Sequence, residues 1–156
     1  MQIIANRLQT LGILLPPAPD RAGLYTYCKF FGNNLVYISG CGPDMPGKPP
    51  VVGKVGADVS LAEGKLAARH CVLNALAVLE KGIGDLNRVA CFAKMLAFVA
   101  SADDFYRQPE IANGASELLV EIFGEAVGCP ARSAVGVNVL PGNIPVEVEL
   151  LVALAD

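Results

Sequence analysis

Three charged residues interrupt an apolar stretch near the C-terminus. In "CPARSAVGVNVLPGNIPVEVELLVAL", from Cys129 to Leu154, these are Arg132, Glu147 and Glu149. Arginine offers a planar fork of donors that matches a carboxylate. Glutamate can accept a proton from water or hold a water in place. Together they could bind a small carboxylate-bearing molecule and hydrolyse a bond beside it. Other reactive types are sparse. His70 is the single histidine, has no partner in sequence for a triad, and reads as a structural or surface residue. The cysteines Cys28, Cys41, Cys71, Cys91 and Cys129 contain no C-x-x-C, which fits reduced thiols rather than a disulfide frame or zinc site. Cys129 reads as a passive loop thiol, because reactivity would need a depressed pKa.

Composition narrows the function classes. The chain has 156 residues and suits one domain over residues 1–156. Its 53% hydrophobic and 17% charged content is apolar for its size and implies extra burial in an oligomer. Net charge is -3 and no Lys/Arg cluster occurs, which argues against a nucleic-acid partner. No apolar run approaches the ~20 residues that span a bilayer. The start, "MQIIANRLQTLGILLPPAPDR", lacks the basic region of a signal peptide, so a cytoplasmic location is expected.

The reactive residues must be positioned by local elements. Residues 1–14 predict a short amphipathic helix closed by "PPAPD". Residues 23–40 predict a hairpin turning at Gly32-Asn33-Asn34. The Pro/Gly-rich residues 41–59 predict a long loop. Ser60 and Glu63 form a capping-box pattern that opens a helix ending at Gly82 or Gly84, with Leu61, Ala68, Val72, Ala75, Leu76 and Leu79 on its core face. Residues 87–100 predict a buried strand containing Lys94, which either snorkels or pairs across an interface. Ser101 is expected to cap a second helical region, interrupted by Pro109, whose main helix runs from about Glu110 to Phe123. Two C-terminal strands follow. The order β-β-α-β-α-β-β predicts an α+β fold, with two main helices packed on one face of a mixed sheet.

Alternation sorts the last two strands into faces. Val146, Val148, Leu150 and Val152 share one face, and Val135, Val137 and Val139 share another. Paired as a hairpin with Val139 opposite Val146, all these valines would face the helices. Arg132, Ala134, Gly136 and Asn138 would then lie beside Glu147 and Glu149 on the opposite face. Arg132 and Glu147 would stand roughly 20 Å apart in that hairpin. Contact between them is therefore expected across a subunit interface, with Glu149 as a further interface partner.

"PARSAVGVNVLPGNIPVEVEL" resembles the signature of the Rid family, the YjgF-like reactive intermediate deaminases formerly labelled L-PSP endoribonucleases. "GNNLVYISG", "GDLNRV" and "DDF" extend the likeness over roughly residues 23–154, leaving residues 1–22 as an N-terminal extension of a divergent subgroup. The resemblance implies a chorismate-mutase-like fold and a homotrimer with ligand clefts between subunits. It implies that Arg132 clamps the carboxylate of a 2-imino acid and that Glu147 positions or activates water. Ammonia and a 2-oxo acid leave, and no metal or cofactor is needed because the imine carbon is already electrophilic. Substrate contacts implied in the same way are Tyr25 or Tyr27, Gly40, Asn113 and the backbone of Ala134. Many deaminating members carry Cys at the position of Ala134, so any thiol role is lost here. The alternative reading is a non-catalytic module that binds 2-oxo acids. The acidic charge and single histidine weigh against endoribonuclease activity.

Overall fold

A computed structural model describes residues 3–155. Its elements are α1 (Ile3–Thr10), β1 (Cys28–Phe31), β2 (Leu35–Cys41), α2 (Leu61–Ile83), β3 (Val89–Ala100), α3 (Gln108–Phe123), a one-turn α4 (Glu125–Gly128), β4 (Ala131–Val137) and β5 (Val146–Leu154). The strands form one mixed sheet in the order β1-β2-β5-β3-β4. Of the neighbouring strands named here, β3 and β4 run parallel; β1–β2, β2–β5 and β3–β5 are antiparallel.

Local chemistry explains the principal helix. Ser60 stays extended, its hydroxyl accepts from the Glu63 N–H at 3.2 Å, and the Glu63 carboxylate accepts from the Ser60 N–H at 2.8 Å. Gly84 ends α2 with φ 81°, a conformation open to glycine at little cost. Ala68, Cys71, Val72, Ala75, Leu76 and Leu79 are buried along α2, and Ile111, Ala115, Leu118, Leu119 and Ile122 along α3. These stripes meet Met95, Ala97 and Val99 of β3 and Val146, Val148, Leu150 and Val152 of β5, all buried. Phe92 meets Phe123 edge-on at 4.9 Å between ring centroids.

Three sequence expectations fail here. The C-terminal strands do not form a hairpin. β3 lies between them, so Val135 pairs with Phe98 on one edge of β3 while Glu147 pairs with Phe98 on the other. The valines of this stretch do not join the helix-side core either: Val135 of β4 is 40% exposed and Val139, beyond its end, 64%. It is Arg132, Ala134 and Gly136 that turn toward α3 and the core. Finally, Ser101 caps no helix. Its hydroxyl accepts from Gln108 Nε2 at 3.2 Å, and α3 starts at Gln108. Pro109 sits in the first turn, where a missing N–H costs nothing, and so begins the helix rather than interrupting it.

Among the described residues, no helix covers the sheet's second face. Leu35, Leu96, Phe98, Leu151 and Ala153 lie half-buried there beside the more exposed Tyr37 and Val135. Lys94 is half-buried on this face and its Nζ donates to Ser133 Oγ at 2.9 Å. Among the described residues, no helix is long and apolar enough to cross a membrane.

Candidate functional site

The residues singled out by sequence fall into two groups, separated by the sheet. The first surrounds Glu147. A cleft of about 430 Å³ is lined by Tyr25, Tyr27, Gly40, Gly42, Pro141 and Glu147, among others. Both candidate tyrosines therefore reach the same cleft. Their rings meet edge-on, 5.4 Å between centroids at 83°. The Tyr25 hydroxyl accepts from the Ala22 N–H, and the Tyr27 hydroxyl donates to the Asp20 carbonyl at 3.3 Å. Burial pushes the Tyr27 pKa up, and Tyr25 adds to the shift.

Gly40 owes its place to a bulge. The β2–β5 register shifts between Ile38 and Cys41, so the backbone at Ser39 and Gly40 leaves the regular ladder. The freed space holds the Glu147 carboxylate: a Cβ at position 40 would run into its Oε1. Glu147 is half-buried, and among the described residues its carboxylate has no hydrogen-bond or ion-pair partner. Burial raises its pKa, helped by the like charge of Glu149. Glu149 itself accepts from the Tyr37 hydroxyl at 2.9 Å, a bond within the chain.

Arg132 heads the second group. Its Nη1 donates to Ser116 Oγ at 3.0 Å and its Nη2 to the Pro109 carbonyl at 3.1 Å. Helical spacing puts Asn113 on the same face of α3, between Pro109 and Ser116. Ala134 is half-buried and packs on the core. Gly136 approaches Gln108 and Ser101 so closely that a Cβ would lie 2.9 Å from Gln108 Nε2.

Registers place the groups apart. Arg132 pairs with Met95, which pairs with Leu150; Glu147 pairs with Phe98. Two strands across and three residues along amount to roughly 14 Å between Cα atoms. The side chains also point to opposite faces.

Two contributors escaped the sequence reading. Asn74 is buried in the apolar run of α2, and its Nδ2 donates to the carbonyls of Gly42 and Asp44 at 2.9 Å each. It thereby ties the cleft's Gly42 lip to the core. The polar residue inside "VLNALAVL" was the available signal. Ser116 is the other; its spacing from Asn113 was legible, but its role depends on where β4 lies. His70 is half-buried, and burial lowers its pKa, with Lys48 and Arg69 adding to the effect. Cys71 and Cys41 are buried; burial raises both thiols, Cys41 to about 12, which disfavours thiolate chemistry. Cys129 is exposed just ahead of β4. Among the described residues, no three His, Cys, Asp or Glu side chains group to hold a metal.

The family model described as "YjgF/chorismate mutase-like, putative endoribonuclease" matches residues 5–154. The chain belongs to the YjgF family. The chain is 41% identical over 151 residues to protein TCP17 of Trypanosoma cruzi, covering 97% of this chain and 94% of that protein. Its fold matches the crystal structure of Atu1372 from Agrobacterium tumefaciens, a protein of unknown function. That match has a TM-score of 0.88 and 39% identity, covering 99% of this chain and 94% of the other. It also matches a protein from Shewanella oneidensis described as a putative endoribonuclease, with a TM-score of 0.91 and 32% identity, covering 97% and 99%.

Proposed function

We propose that this YjgF-family protein hydrolyses small 2-imino acids to 2-oxo acids and ammonia, in clefts assembled between the subunits of a homotrimer. The observation that carries this reading is the Glu147 carboxylate. It is half-buried beside Gly40, raised in pKa, and free of partners among the described residues. A carboxylate with a raised pKa is a stronger base toward water, and a larger share of it is protonated near neutral pH and so able to hand a proton to a leaving amine.

In this mechanism Arg132 of one subunit holds the substrate carboxylate through a forked pair of N–H donors. Glu147 of the neighbour takes a proton as water oxygen bonds to the carbon of the protonated imine, giving a neutral carbinolamine. The same carboxyl then returns the proton to nitrogen. As the C–N bond breaks, ammonia leaves, the hydroxyl gives its proton to the Glu147 carboxylate and the C=O bond forms. Tyr25 and Tyr27 shield the reacting carbon from bulk water, and Gly40 leaves room for the base. Asn113 and the Ala134 backbone would contact substrate from the Arg132 side.

Two features support assembly. The uncovered sheet face is largely apolar, which favours burial by another copy. The two groups also point away from each other within one chain, so joining them takes a second copy. One observation favours a binding module instead: Ala134 replaces the thiol that many deaminating relatives carry. RNA cleavage is the weakest reading, given net charge -3 and no basic cluster.

Ammonia release from 2-iminopropionate, generated in situ by an amino-acid oxidase, tests the proposal. Wild type should accelerate release over buffer. Arg132→Ala should lose roughly 2–3 kcal/mol of transition-state stabilisation, about 30- to 150-fold in kcat/KM. A wild-type rate equal to buffer, with calorimetric binding of pyruvate intact, would select the binding module.

A further inference from the structure

We propose that a second cavity, next to the Glu147 cleft, binds a small zwitterion bearing both a carboxylate and an ammonium group, the chemistry of a free α-amino acid. The cavity holds about 310 Å³. That lies at the lower end of small-ligand sites. Its walls come from Ala18 to Arg21, from Thr26 to Cys28, and from the last turns of α2 at Val78, Lys81 and Gly82.

Three charges line it: Arg21, Lys81 and Asp20. None is in an ion pair; the described residues pair Lys65–Glu117, Arg69–Glu121 and Arg107–Glu110 instead. Arg21 spends one Nη1 donor on the Tyr25 carbonyl at 3.1 Å and keeps the rest of its fork. Among the described residues the Lys81 ammonium and the Asp20 carboxylate have no side-chain hydrogen bond. The Thr26 hydroxyl donates to the Cys28 carbonyl and retains its acceptor lone pairs.

This charge set selects among ligands. A simple anion would be attracted by two cations but repelled by Asp20. A simple amine would meet Asp20 and two repelling cations. A molecule with both groups satisfies all three: carboxylate toward Arg21 and Lys81, ammonium toward Asp20. Pro19, Ala18 and Val78 offer an apolar wall for a short side chain.

Tyr27 links this cavity to the cleft, since it lines both. Its hydroxyl is held by the Asp20 carbonyl, and Arg21 holds the carbonyl of Tyr25. A ligand engaging Asp20 and Arg21 would therefore fix the segment that carries both cleft tyrosines. Such binding requires no imine hydrolysis at the cleft.

The test is a titration of the ¹⁵N-labelled full chain, followed by amide shifts, with L-serine and L-leucine as probes and acetate and methylamine as singly charged controls. The amino acids should give saturable shifts at Thr26, Cys28 and Gly82, with acetate and methylamine at least about tenfold weaker. The double variant Arg21→Gln/Lys81→Gln should weaken binding by about tenfold or more, while Glu147→Gln leaves it unchanged. Absence of saturable shifts would overturn the proposal. So would an equal response to acetate, binding that survives the double variant, or shifts confined to Gly40, Gly42 and Glu147.

Discussion

Arg132 and Glu147 leave opposite faces of one sheet. Arg132 turns toward α3, held by Ser116 and the Pro109 carbonyl, while Glu147 turns to the uncovered side against Gly40. With β3 between their strands, no side-chain rotamer brings them together. The proposed carboxylate clamp and the proposed base thus belong to different surfaces of the molecule.

Glu147 should make stability depend on pH in an uncommon direction. Its pKa in the folded chain is raised, so the folded state binds the proton more tightly than the unfolded chain. The linked contribution favours folding below the ordinary carboxylate range and is lost as pH rises through the raised value. Glu147→Gln should therefore gain stability relative to wild type at pH 7. The gain should vanish below about pH 3.5, where both states of Glu147 are protonated. Urea melts at the two pH values measure it. An equal difference at both would mean that ionisation of Glu147 is not the cause.

Gly40→Ala should be destabilising through one contact. Its new Cβ meets the Glu147 carboxylate, and forcing the two apart should cost about 1–3 kcal/mol. The cost should shrink in a Glu147→Ala background, where the obstructing atoms are gone. A double-mutant cycle reads this coupling directly. Additivity would place the strain in the bulged backbone instead.

Asn74→Leu should cost roughly 2 kcal/mol, because the carbonyls of Gly42 and Asp44 lose their donor. Amide exchange should rise at residues 42–45 more than in the middle of α2. Uniform acceleration would show that Asn74 supports the helix alone and not the cleft lip.

Much of the fold could be read from residue pattern because local chemistry decides it. Ser60 and Glu63 announce the start of α2, Gly32 to Asn34 a hairpin turn, and strict alternation in "VEVELLVAL" the two faces of β5. β4 was misread because alternation reveals phase but not side. Val135 and Val137 alternate with Ala134 and Gly136 just as a core strand would. Yet the small residues turn inward, where Gln108 and Ser101 crowd Gly136, and the valines go to the uncovered face. Strand order was illegible for a related reason. A short connection suggested a hairpin, while the structure inserts β3 between β4 and β5. At the site, Glu147, Gly40 and both tyrosines line one cleft; the likeness to the Rid signature pointed to Glu147, Gly40 and one of the two tyrosines, and local spacing did not separate Tyr25 from Tyr27. Asn74 went unseen because its carbonyl partners lie on a loop 30 and 32 positions away.

The most direct measurement mixes two impaired chains. Arg132→Ala keeps Glu147, and Glu147→Gln keeps Arg132. Each alone should keep about 3% or less of wild-type imine hydrolysis. Unfolded and refolded together at equal amounts, they should regain about a quarter of wild-type activity, because in a closed trimer that fraction of interfaces joins an intact Arg132 to an intact Glu147. Activity that stays at the level of the separate variants, under conditions where mixed wild-type chains recover theirs, would contradict a site shared between subunits.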